Sequence, residues 1–238
     1  MALGARISPA IARDSARIVT RAQTDVNMIC TTLRLGAVLP PQMFQDLYDY
    51  LYHQNEQGGI PLKGTGIVLG LFLLALHLVA FLKTESVQSF LKQFPRNYKW
   101  GVILLSIDFA WAMLLMSYMD MGEFYTLRSK FLLVLPISFV LVLFFVKEFL
   151  AVRALGALML LVSGPVLTAA FLQPPASRIL VPILAYAWII AGMFFVGMPF
   201  VMRDWVNWVT NTAGRWKLAA LGGVAYGILM LVVAVVAW

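Results

Sequence analysis

From residue 65 onward the chain divides into six apolar stretches of roughly 16 to 23 residues, and the short segments between them hold nearly all the charge of that region. A bilayer core needs about 20 apolar helical residues to cross, and backbone amides inside it must be paired within the segment. Each stretch therefore reads as one spanning helix. The expected fold is an all-α polytopic helical membrane bundle with about six transmembrane helices, preceded by an amphipathic helical region at the N-terminus. The boundary is expected between residues 64 and 65, giving an interfacial region over 1–64 and a six-span domain over 65–238.

Composition agrees. The 238 residues are 61% hydrophobic and 12% charged, with a mean hydropathy of +0.85, outside the range of soluble domains. The net charge of +7 would suggest nucleic acid in a soluble protein. Here most basic residues flank spans, so the bilayer is the expected partner and nucleic acid is not. Cys30 is the one cysteine, so neither an internal disulfide nor a cysteine metal cluster is expected.

In the N-terminal region Ser8 and Pro9 form an N-cap and first-turn pair. Ile11, Ile18, Ala22, Val26, Ile29 and Leu33 then recur at helical spacing, and Arg13, Asp14, Arg17, Arg21 and Asp25 occupy the other face. This predicts an amphipathic helix over 9–35, lying on a membrane or a partner. The same arginines resemble a mitochondrial transit peptide in composition; the alternative is a bacterial membrane-surface helix. The expected location is accordingly a bacterial inner membrane, with the mitochondrial inner membrane as the alternative. No secretory signal peptide is expected. Pro40 and Pro41 stop that helix, and a second is predicted over 42–54, with Phe44, Leu47, Tyr48 and Leu51 on one stripe and Tyr50 and Tyr52 at a polar interface.

The spans are predicted at 65–82, 100–119, 131–147, 150–172, 179–201 and 217–238. Six crossings put both termini on one side, A. Side B then carries Lys83, Lys92, Arg96, Lys99, Lys147, Arg153, Arg203, Arg215 and Lys217, against Lys63, Arg128, Lys130 and Arg178 flanking the spans on side A. The excess of basic residues favours B as the cytoplasmic face, although the N-terminal region adds five arginines to side A. Trp100, Trp205, Trp208, Trp216 and Trp238 fall at span ends, where an indole keeps its ring apolar and its N–H wet. Gly66 with Gly70, and Gly223 with Gly227, place small residues one turn apart for close helix packing.

Ionisable groups inside a bilayer are costly unless paired or hydrated, which singles out His77, Asp108 and Arg153. Counted from side B, they lie roughly 8, 12 and 5 Å deep at 1.5 Å per residue. If spans one and two are neighbours, His77 and Asp108 meet, with Arg153 turned toward them or snorkelling outward. Glu148, Arg203 and Asp204 form a possible rim at the same face. These residues are the candidate ion- or substrate-binding set, opposed by the simpler reading of register-fixing polar contacts and a solvated rim.

No catalytic residues, cofactor or metal site are expected. A bis-histidine haem needs two imidazoles, and His77 is the only histidine within a span. The chain has no His-Glu-x-x-His helix for zinc, and Ser163 has no second span histidine to activate it. Lys63 precedes Gly64 and Thr65, the reverse of a phosphate-binding loop. The last span has no mid-helix lysine for a retinal Schiff base. The favoured expectation is a non-enzymatic subunit or scaffold that binds other membrane subunits. The alternatives are a small proton- or ion-coupled transporter using Asp108 and His77, and an enzyme acting on lipid head groups at the side-B rim.

Overall fold

A computed structural model describes residues 41–53, 59–146 and 148–238. The predicted helix over 9–35, Cys30, Gly58 and Lys147 lie outside the described residues. The described chain is all-α: α1 (Pro41–Tyr52), α2 (Leu62–Leu82), α3 (Thr84–Gln93), α4 (Tyr98–Tyr118), α5 (Arg128–Phe145), α6 (Leu150–Ala170), α7 (Leu180–Gly197), α8 (Phe200–Thr210) and α9 (Ala213–Val236). Six segments are long and apolar enough to cross a membrane: Leu62–Leu82, Tyr98–Tyr118, Gly122–Phe145, Leu150–Ala170, Ala176–Gly197 and Ala213–Val236. They correspond one for one to the predicted spans, and the chain is a multi-pass membrane bundle.

The boundaries move where local chemistry dictates. Span five ends at Gly197 rather than near 201, because Met198 leaves the helical region and Pro199 starts a new helix in a different direction. Span two begins on an Asn97 cap, whose side chain accepts from the Trp100 amide. The reversal into span four is tight: Phe149 caps α6 in the left-handed region at φ 55°.

Two segments expected to be charged connections are helices. In α3, Val87, Phe90, Leu91 and the following Phe94 recur at i, i+3, i+4 and i+7. In α8, Met202, Trp205, Val206 and Val209 repeat that spacing. Each is therefore an amphipathic helix with a single apolar stripe, and the two pack against one another at the side-B end of the bundle.

The spans form two tight pairs. Span one packs on span six, and span four on span five, while span two lies against span four. Small residues permit both pairings. A Cβ on Gly70 would come within 3.1 Å of the Gly227 carbonyl oxygen, and one on Gly156 within 2.8 Å of the Gly192 oxygen. Two apolar cores result. Leu62, Leu69, Val166, Val181, Ala185 and Met230 join the pairs in the side-A half. Phe94, Ala151, Val152, Phe195 and Met202 fill the side-B half. Span three packs chiefly on span two and is the least enclosed, with 11% of its apolar window buried against 44% for span four.

Candidate functional site

The inward stripe of α4 carries Gly101, Leu104, Asp108 and Trp111 at spacings of three and four residues, so Asp108 occupies a position that points toward α6. At its side-B end Gly101 lets the helices approach, since a Cβ there would meet the Ala151 amide nitrogen at 2.8 Å. Two turns further in, Asp108 is only 5% exposed, and neither carboxylate oxygen meets a hydrogen-bond partner among the described residues. It lines a cleft of about 360 Å³ between spans two, three and four. The cleft is walled by apolar side chains such as Phe109, Leu135, Phe139 and Leu160. Its other polar member, Ser138, donates its hydroxyl to the Leu135 carbonyl at 2.8 Å.

His77 lies elsewhere. Span one is packed against spans six and four, not against span two, so His77 and Asp108 line separate cavities. The His77 ring lies over Gly223 of span six, and its Nδ1–H donates to the Leu73 carbonyl at 2.8 Å. Arg153 is exposed near the start of α6, directed away from the packed face that carries Ala151, Val152 and Ala154. Arg203 and Asp204 pair with each other at 3.0 Å on exposed α8, and Glu148 is exposed in the turn before α6. Of the six candidate residues the structure thus brings together only these two. At the side-B end the cluster around Phe94, Val152 and Phe195 closes the bundle.

Side A holds polar structure that the sequence reading did not single out. Tyr48 is 7% exposed, stacked on Tyr52 at 5.2 Å and tilted against Tyr118 at 6.3 Å. Trp111 Nε1–H donates to the Tyr52 hydroxyl at 2.9 Å, and the Tyr52 ring lies against Gly164 of span four. Tyr52 is therefore turned into the bundle rather than held at a polar interface. Burial, followed by the negative charges of Asp49 and Asp120, pushes the Tyr48 phenol above its ordinary 10.0. Burial likewise raises Tyr52, partly offset by the bond from Trp111. Nearby, Arg128 is 7% exposed, donates to the Met119 carbonyl and lies over the Tyr125 ring at 4.8 Å. The signal for this cluster was the spacing of Tyr48, Tyr52 and Trp111, but their meeting depends on which spans α1 crosses.

Trp216 is also reassigned. It is buried, with its N–H shared between the Ala80 carbonyl at 3.2 Å and the Thr84 hydroxyl at 3.3 Å, so it ties span six to the end of span one instead of reaching water. No group of three or more histidine, cysteine, aspartate or glutamate side chains capable of holding a metal occurs among the described residues. Comparison with protein-family models, curated proteins and solved structures finds no match.

Proposed function

We propose that the chain is a non-enzymatic subunit of a membrane complex, assembled through the cleft at Asp108. The observation that carries this reading is the unpartnered carboxylate. A buried polar group without a hydrogen bond costs several kcal/mol, and in hydrocarbon an ionised one costs more. The one donor in the walls of the cleft, the Ser138 hydroxyl, is committed to the Leu135 carbonyl, and the adjoining span three has the least packing of the six. A donor on a transmembrane helix of a partner, lodged between spans two and three, would satisfy the carboxylate and cover that face. The separation of His77 from Asp108 favours this reading over a carrier that uses the two together.

The test is the assembly state in lipid nanodiscs, read by native mass spectrometry. Wild-type protein is expected in a stoichiometric complex with another membrane protein. Asp108→Leu should release a folded monomer at least as heat-stable as the wild type, since an apolar residue of similar size removes an uncompensated group. A wild-type chain that is monomeric, or an assembly indifferent to Asp108→Leu, rejects the proposal.

A further inference from the structure

A cavity of about 720 Å³, separate from the cleft at Asp108, lies between spans one and six and beneath α3 and α8. We infer that it is a binding site for an acyl chain of an anionic glycerophospholipid; this goes beyond the subunit reading and does not rest on it. Its volume falls within the range of about 300 to 1,000 Å³ typical of small-molecule sites. Its lining is apolar apart from His77, Thr210 and Trp216, and the Trp216 N–H is already engaged within the chain.

Position specifies the ligand. The residues contributed by span one run from Phe72 to Ala80, about 12 Å of helix ending about half a turn from the side-B terminus of that span. This is the depth of acyl chains just below the head groups. The roof is formed by the apolar stripes of two interfacial helices, Val87, Phe90 and Leu91 from α3 and Trp205, Val206 and Val209 from α8. A crevice bounded this way is continuous with the bilayer interface on its own level.

Charge specifies the head group. Lys83 follows the lining residue Ala80 by three positions, while Arg215 and Lys217 flank Trp216. All three are exposed, and none is in an ion pair among the described residues. Arg215 is held over the Trp208 ring at 4.7 Å, which fixes a cation at the level of the roof. Basic side chains at this level attract anionic phosphate, whereas the cavity floor offers only the His77 imidazole.

The experiment is lipid exchange on the full chain in nanodiscs of mixed phosphatidylglycerol and phosphatidylcholine, with retained lipids counted by native mass spectrometry. Wild-type protein should retain phosphatidylglycerol over phosphatidylcholine by at least about tenfold, as expected for three basic side chains near a head group. Ala219→Trp, which fills the cavity from span six, should abolish retention. Val209→Trp fills it from the roof and provides the same readout if the first variant does not fold. Replacing Lys83, Arg215 and Lys217 together by Gln should bring the two lipids to parity while an acyl chain is still held. Equal retention of both lipids by wild type, or retention unchanged when the cavity is filled, overturns the assignment. So does occupation by a neutral isoprenoid or by a protein segment.

Discussion

At the scale of single residues, His77 and Gly223 form one structural object. The ring has no room beside any larger residue: a Cβ on Gly223 would lie 2.0 to 2.3 Å from its Cδ2, Cγ and Nε2 atoms. Gly222, one position earlier, has open space where its Cβ would project. The same substitution should therefore have opposite signs at adjacent positions. Gly223→Ala forces His77 off its Leu73 bond and is expected to destabilise by about 1 to 3 kcal/mol, as overpacking does. Gly222→Ala relieves backbone entropy in a helix and should be neutral or stabilising by about 0.5 to 1 kcal/mol. Adding His77→Ala should recover much of the Gly223→Ala loss, a coupling that thermal melts of the four-variant cycle measure directly. Additive losses would mean that the glycine serves some other contact.

Individual elements differ in how well they could be read from the sequence. Long apolar runs give the spans directly, since a bilayer imposes length and composition. The side-B helices were hidden because Lys83, Lys92, Arg203 and Arg215 read as separators, yet their apolar stripes were present at helical spacing. Asp108 was legible as an in-span acid. Its lack of a partner was not, because that follows from span one choosing span six as its neighbour. The placement of α1 was likewise hidden, and it makes a prediction of its own. The Trp111–Tyr52 bond joins α1 to span two, so Tyr52→Phe should weaken docking by about 0.5 to 1.5 kcal/mol. The Tyr48 and Tyr52 phenols have raised pKa values, so docking favours their neutral forms. That contribution is complete below the ordinary phenol value of 10.0 and is lost as pH rises above it through the raised values. A fluorophore at exposed Gln45→Cys, with Cys30→Ser in the background, should lose anisotropy above pH 10. In Tyr52→Phe the loss should begin from a lower starting value. An unchanged signal across this range would show that α1 is held by other contacts.

On the scale of the whole molecule, the two tight span pairs leave the C-terminal residue in a defined place. The Trp238 indole N–H donates to the Ser177 hydroxyl at 2.8 Å, which joins the last residue to the connection between spans four and five. Tyr226 adds a second tie lower in the same helix, donating to the Leu180 carbonyl at 2.7 Å. An even number of crossings requires the C-terminus to share a face with α1, and these bonds place the span four to five connection on that face as well. Arg203 and Asp204 follow span five and so belong to the other face. In a Cys30→Ser background, Ser177→Cys with Trp238→Cys should therefore be joined by a short bismaleimide, whereas Asp204→Cys with Trp238→Cys should not. Orientation can be read from the same variants. Basic residues are concentrated beside the span ends on the Asp204 side, and such residues are retained in the cytoplasm. An impermeant maleimide added to intact cells should then label Ser177→Cys, and reach Asp204→Cys only after permeabilisation. Labelling in the reverse order would invert the membrane orientation without disturbing the pairing of spans. Labelling of both positions from outside would require an even number of crossings between them and reject the six-span arrangement itself.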